Sequence, residues 1–385
     1  MPDRRVLIAL SAALVLAVLV PGCAINASAA HGASEGTTKA CSDGGGDDAR
    51  DLRLFGAGTI AQDITFEGKA AINIQQHTTA SEGADFDPSI DPTGKQLVFG
   101  STRHSRHSHL YVKSAEGSAI TQITDGNAND AQPVFAPDGK RIAFASDRAG
   151  QWDIWLIDVS GRNPMQITNG PMAELHPTWS PDGKRLAYCR INPKESTGEL
   201  WIVELENPGT KRLIGEGLFP SWSPKGDKIA FQRARHRGSR WFSIWTITFE
   251  NGEPSPPTEV LSGSQFAFIA PAWSADGTQL AFACITPSMD PESHSFEPRI
   301  SGNGRADIAI VDADGRGMIR LTNGRGENYS PTWSVDDRIY FTAKIDNGET
   351  IWSVKPFRPS AMPVLTGPAP INRHSAQAAE KDSEP

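Results

Sequence analysis

One phrase of about a dozen residues is written six times in this chain, and its recurrence constrains the fold more than anything else in the sequence. It opens as PSIDPTGKQLVF at Pro88, PVFAPDGKRIAF at Pro133, PTWSPDGKRLAY at Pro177, PSWSPKGDKIAF at Pro220, PAWSADGTQLAF at Pro271 and PTWSVDDRIYF at Pro331. The spacings are 45, 44, 43, 51 and 60 residues. Within each copy a short strand carrying the aromatic residue leads into Pro-Asp-Gly, where Pro presets φ and Gly takes the left-handed position of a tight turn. A nearly continuous apolar run such as RIAF follows, which suits a strand covered on both faces. A third strand comes next, DIWLIDVSG from Asp153, with counterparts ELWIVELENPG from Glu199, SIWTITFENG from Ser243, DIAIVDADG from Asp307 and TIWSVKP from Thr350. A fourth ends in TQIT, MQIT or IRLT.

Four strands per unit and a period in the forties predict an all-β chain, a six-bladed β-propeller with seven blades as the alternative, because one such unit cannot bury its faces until it stacks on neighbours. The pattern PxWSPDGKxIAFxSxR, then DIWxxD and xxIT, resembles the PD40, or WD40-like, repeat of TolB propellers over about residues 80–366. The copies depart from it at Ile90 (no Trp), Lys225 (for Asp), Ala275 (for Pro) and Asp336–Asp337 (a lost turn residue and Gly). TolB proteins also carry an α/β domain ahead of the propeller, for which the stretch between Cys23 and Asp85 leaves no room. Two segments compete to close the ring. DITFEGKAAINIQQHT, residues 63–78, resembles a third-plus-fourth strand pair, and AMPVLTG, residues 361–367, has the form of a last fourth strand.

The ends have another character. Arg4 and Arg5 precede the apolar run of residues 6–20, as in a secretory signal. VPGC, residues 20–23, resembles the bacterial lipobox and makes Cys23 the expected acylation site, with conventional cleavage near ASAA or an uncleaved anchor as alternatives. The division is therefore a signal over 1–23, a tether over 24–50 rich in small and polar residues, the propeller over 51–367 and a tail over 368–385. Each version exports the chain, and acylation would hold it at a cell-envelope membrane, on the periplasmic or surface side. An odd number of cysteines beyond Cys23 argues against a disulfide framework: Cys41 falls in the tether, and Cys189 and Cys284 read as small buried hydrophobes. With 37 Lys and Arg against 45 Asp and Glu, a net charge of -8, and no dense basic run, nucleic acid is not an expected partner.

In a propeller the regular first-to-second and third-to-fourth turns lie on one side. The irregular loops lie on the other, around the channel mouth, and that is where function is expected. STRHSRHSHLY from Ser101, RARHRGSRWF from Arg233 and the long segment of residues 285–307 belong there. Three residues before each motif proline stand Asp85, Asp130, Glu174, Gly217, Phe268 and Asn328, with Glu327 beside the last. This half-acidic ring, with His176 and Tyr329 nearby, is the candidate partner-binding set and a candidate seat for a divalent cation. The competing reading makes the acids hydrogen-bonded loop caps. His104, His107 and His109 have the residue type and closeness of transition-metal ligands, but Arg106 stands among them and no carboxylate completes the set, so a solvated loop competes. Asp125, Asn127 and Asn129 imitate part of a calcium loop without its Gly and distal Glu.

No nucleophile elbow, zincin helix or phosphate loop appears. Prolyl-oligopeptidase-type propellers need a hydrolase domain that the tail after Gly367 does not supply. The resemblance thus implies a non-catalytic, monomeric envelope propeller that binds a protein or peptide through its loop-rich face. The alternative is a single-domain enzyme acting on polysaccharide, like oligogalacturonate lyase, with a metal in the channel.

Overall fold

The computed structural model describes residues 64–357 apart from 67–68, 80–81, 193–196, 235–241, 264–265, 287, 290–295, 298–304, 324–325 and 346–347. The signal, the tether, Cys23, Cys41 and AMPVLTG lie outside the described residues. Two strands open the described chain, β1 (Ile64–Phe66) and β2 (Lys69–Gln76). Unit 1 follows as β3 (Asp85–Ile90), β4 (Gln96–Ser101), β5 (His109–Ser114) and β6 (Ile120–Gln122). Unit 2 comprises β7 (Asp130–Phe135), β8 (Arg141–Ser146), β9 (Asp153–Asp158) and β10 (Met165–Gln166). Unit 3 is β11 (Ala173–Trp179), β12 (Arg185–Asn192), β13 (Thr197–Glu204) and β14 (Lys211–Glu216). Unit 4 has β15 (Leu218–Trp222), β16 (Lys228–Ala234), β17 (Phe242–Glu250), a short β18 (Glu253–Pro254) and β19 (Thr258–Leu261). In unit 5, β20 (Ala267–Trp273) and β21 (Gln279–Thr286) are followed by a hairpin, β22 (Ser288–Met289) with β23 (Phe296–Glu297), before β24 (Arg305–Asp312) and β25 (Ile319–Arg320). Unit 6 is β26 (Glu327–Trp333), β27 (Ile339–Ile345) and β28 (Gly348–Pro356).

Each motif thus supplies the first two strands of an antiparallel meander. The first strands β3, β7, β11, β15, β20 and β26 contact one another in sequence, and β26 returns to β3, so they form a closed inner ring. The chain is a β-propeller with its core between units. Ile154 and Leu156 of unit 2 pack on Trp179, Leu186 and Tyr188 of unit 3, for example, and Val98 and Leu110 of unit 1 pack on Phe135, Ile142 and Phe144 of unit 2. Such side chains stabilise by about 1.5–3 kcal/mol each when buried, and an isolated unit would leave them in water. The motif alanines Ala143, Ala187, Ala230 and Ala281 are fully buried, as expected where the neighbouring unit passes close. The motif Trp also ties units together: Trp179 Nε1 donates to Val134 O at 3.2 Å and Trp273 Nε1 to Ser221 O at 3.0 Å.

The threonine of the xxIT element closes units 1, 2 and 5. Its Oγ1 accepts the backbone N–H of the third strand in the pairs Thr124–Leu110, Thr168–Ile154 and Thr322–Ile308, at 2.9, 2.9 and 3.0 Å. Unit 6 borrows this group from the start of the described chain, since Thr78 Oγ1 accepts Ile351 N at 3.0 Å. Correspondingly β2 pairs with β28 (Ala71↔Pro356 to Gln76↔Trp352), and β1 lies outside it. Residues 69–78 are therefore the fourth strand of the last unit, not the beginning of a separate one.

Candidate functional site

The inner strands share a distortion that the sequence did not announce. In every unit the residue before the motif proline has left-handed backbone: Asp87 (φ 51), Gln132 (55), His176 (54), Phe219 (53), Ala270 (51) and Ser330 (50). At the same place the pairing with the second strand slips, a β-bulge. A non-glycine residue holds this conformation only when its surroundings over-determine it. Here the bulge turns backbone N–H groups around the ring toward the preceding unit. His176 N donates to Gln132 Oε1 (2.9 Å), Ala270 N to Gln232 Oε1 (2.9 Å) and Asp87 N to Thr342 Oγ1 (3.0 Å).

Side chains of five of the six bulge residues touch a neighbouring one across a joint. Ser330 Oγ donates to Asp87 Oδ1 at 2.8 Å, a ring nitrogen of His176 lies 3.2 Å from Gln132 Nε2, and the His176 ring stands 3.7 Å from that of Phe219. Four of the six bulge residues are polar (Ser330, Asp87, Gln132, His176) and two apolar (Phe219, Ala270). Burial holds His176 neutral, its pKa down at about 3, so its ring accepts the Gln132 amide proton. Asp87 is its converse: burial pushes it up to about 7 against the Ser330 hydrogen bond, with Glu349 adding to the rise, and Oδ2 has no hydrogen-bond partner. Asp87 and Gln132 escaped the sequence reading, although a residue of fixed phase before each motif proline was the signal that would have found them.

The expected acids are present in position, and two of them, Asp85 and Asp130, are committed to partners. Asp85 and Asp130 begin β3 and β7 fully buried. Asp85 accepts Arg103 Nη2 and Ser101 Oγ, both at 2.6 Å. Asp130 accepts Arg148 Nη2 at 2.8 Å, with His109 Nδ1 at 4.0 Å. Burial raises Asp130, but His109, Arg148 and Ser146 together outweigh it and bring the carboxyl below its ordinary range. Each arginine is the last residue of the SxR element and stacks on aromatic rings, Arg103 over Phe99 and Tyr111 and Arg148 over Phe144 and Trp155. The carboxylates thus have side-chain partners rather than the backbone caps weighed from the sequence.

Glu174, the second residue of β11, is 1% exposed, with Oε2 unpartnered. Glu327 lies 3.4 Å from Lys344 Nζ and is raised, burial being the leading cause. Asn328 Nδ2 donates to Ala306 O, and buried Tyr329 bonds to Glu349. Phe268 packs edge-on against Phe282. The three histidines diverge: His104 is exposed beside the Tyr111 hydroxyl (3.3 Å), His107 N donates to Ser105 Oγ, and His109 is buried by Asp130. Among the described residues no group of three or more His, Cys, Asp or Glu stands ready for a metal ion. Asn129 of the calcium-like stretch binds Asp147 through Nδ2 at 2.8 Å. Cys189 and Cys284 are free and buried, and burial pushes their thiols up to about 12 and 11.

A family model described as the Tricorn protease N-terminal beta propeller domain matches residues 149–365, and the TolB beta propeller domain (PD40) matches residues 66–162. An uncharacterised protein of Agrobacterium fabrum is 31% identical over 70 residues, 18% of this chain and 24% of that protein, so the match spans about a quarter of the relative's length. Among solved structures, a putative TolB from Agrobacterium tumefaciens gives a TM-score of 0.52 at 22% identity, covering 72% of this chain and 91% of that one. Oligogalacturonate lyase from Vibrio parahaemolyticus gives 0.50 at 11% identity, covering 77% and 96%. At these identities the shared property of the solved structures is the fold.

Proposed function

The chain belongs to the β-propeller family that the Tricorn N-terminal and TolB PD40 models describe, and from that premise we propose that it is a non-catalytic binding module of the cell envelope. It is exported, anchored through acylated Cys23, and presents its loop-rich face to a protein or peptide. One observation carries the reading. The first-to-second turns repeat one compact geometry from unit to unit, with left-handed Gly94, Gly139, Gly183, Gly226 and Gly277, whereas on the opposite side the second-to-third connection of unit 5 grows into its own hairpin, Ser288↔Glu297 and Met289↔Phe296. Sequence added beyond what closes the sheet, on the side where the channel opens, is the usual form of a recognition surface.

The experiment is cross-linking in intact envelope with residues 287–304 replaced by a short Gly-Ser linker. Loss of partner capture with unchanged thermal unfolding is expected. Capture at the parental level would remove this face from consideration. Turnover of oligogalacturonate by the purified protein with a divalent metal would replace the binding reading with an enzymatic one. Anchoring has a separate test, in which Cys23→Ser blocks acylation and releases the protein from the membrane fraction. Unchanged membrane retention would overturn it.

A further inference from the structure

The joints between units repeat as regularly as the units, and one of them lacks a charge. At two joints a residue at the start of an inner strand lies beside the start of the preceding unit's third strand: Asp130 N donates to Ser108 O at 2.8 Å and Glu174 N to Trp152 O at 2.7 Å. The side chains there are balanced at three joints. Asp130 meets His109 and Arg148, Asp85 meets Arg103, and Asp307 accepts the Thr322 hydroxyl at 2.8 Å beside Asn328.

Between units 2 and 3 the corresponding groups are Asp153 and Glu174, two acids. The residue paired with Glu174 across the sheet is Arg190, where Asp85 and Asp130 have Ser101 and Ser146. Two residues further on, where Arg103 and Arg148 stand, the chain has Asn192. Arg190 does not substitute for the missing clamp: its Nη2 and Nε bind Glu199 Oε2 at 2.6 and 3.0 Å, and its guanidinium lies 4.1 Å from the Trp201 ring centre.

Both carboxylates border Gly170. Its N–H donates to Asp153, and a Cβ on it would stand 3.5 Å from Glu174 Oε1. Asp153 Oδ2 also accepts Gln166 Nε2 at 3.0 Å. Asp153 Oδ1 and Glu174 Oε2 are buried without a close hydrogen-bond partner, and the hydroxyl of fully buried Tyr188 is turned to the Glu174 carboxylate. Tyr188 lies near enough to Glu174 for that carboxylate, after burial, to hold its proton on. Burial and the neighbouring Glu174 push Asp153 up to about 6, against the Gln166 and Gly170 hydrogen bonds and the charge of Lys211. Unpaired buried acceptors of this kind are costly, and a cation relieves them.

We propose that this joint receives one guanidinium group of the binding partner, in the place that Arg148 fills one unit earlier, with Glu174, Asp153 and Tyr188 as its acceptors. The inference rests on the binding-module reading and specifies its partner as a protein or peptide presenting an arginine. Entry is beside Gly170 and Pro171, in the loop joining β10 to β11 on the loop-rich face, and Pro171 is exposed.

Full-length protein titrated with L-arginine amide at pH 7.5 should show a saturable rise in Tm, about 2–4 °C at ten times its Kd, with no rise from L-citrulline amide. Glu174→Gln and, independently, Asp153→Asn should abolish the rise. Asn192→Arg should supply the clamp in cis, raising the Tm of the free protein and removing the response. No response in the parent, or a parental response in Asn192→Arg, overturns the proposal. So does a response that appears only in Lys194→Gln, because the chain's own lysine would then fill the joint. Partner capture by the parent without an arginine amide response sinks the receptor alone, whereas capture that survives the loop replacement sinks the wider reading.

Discussion

Replacing Arg148 by Ala tests whether the inner acids are structural. Asp130 is fully buried and Arg148 is 23% exposed, with 2.8 Å between Asp130 Oδ1 and Arg148 Nη2. Arg148 Nε also donates to Ser146 Oγ at 2.9 Å, and the guanidinium lies 5.0 Å from the Trp155 ring centre. Removing one partner of a buried pair costs about 3–5 kcal/mol, and the lost stacking accounts for about 0.5–1 kcal/mol of such a loss. One feature lowers the figure: water reaches the space vacated by a side chain that is partly exposed. We expect about 2–3 kcal/mol at pH 7.5, measured by urea unfolding followed through tryptophan fluorescence. The pH dependence has a definite sign. Asp130 is held below its ordinary pKa of 3.8, so the stability it contributes is complete above that value and lost as pH falls through the folded pKa. The cost of Arg148→Ala should therefore shrink as Asp130 protonates in the variant. A cost below about 0.5 kcal/mol at neutral pH, the range of an exposed pair, would refute the argument. A cost that did not change down to the acid limit of folding would refute it too.

Asp87→Asn should act with the opposite sign. The folded pKa of Asp87 is about 7 against an ordinary 3.8, through burial and the nearby Glu349, with Ser330 and Thr342 as its polar neighbours; wild-type stability therefore falls as pH rises from about 4 to about 7. The Asn variant lacks that slope and should gain in Tm at pH 8 relative to pH 5, so parallel Tm profiles for the two proteins would exclude an ionising Asp87. Deleting residues 64–78 bares the edge of β28 and removes the Thr78–Ile351 bond. Size-exclusion chromatography should then show self-association and a lowered Tm, and a monomer with the parental Tm would mean that β2 does not close the ring.

The phase of the motif made each strand and most turns legible, because Pro, Gly and an unbroken apolar run report backbone and burial directly. The closing strand was ambiguous between two ends of the chain. INIQQHT pairs with a strand about 280 residues later, and no local pattern distinguishes that partner from a nearer one (Thr78 to Ile351). At the candidate site, the acids were found by position, but their meaning was not. SxR stood in the repeated pattern without revealing that its arginine turns back onto the acid 18 residues earlier, as Arg103 does on Asp85 and Arg148 on Asp130.

The channel lining was hidden for a different physical reason. A residue before proline is normally driven to extended backbone, so Asp87, Gln132 and His176 read as ordinary strand residues pointing to one face. Ring closure overrides that preference, because the left-handed bulge turns N–H groups toward acceptors in the preceding unit. Once the six units share this frame, a departure at one position becomes interpretable. Asn192 in place of arginine is unremarkable in a single strand, but against Arg103 and Arg148 it leaves Glu174 and Asp153 facing each other without the arginine clamp that Asp85 and Asp130 have.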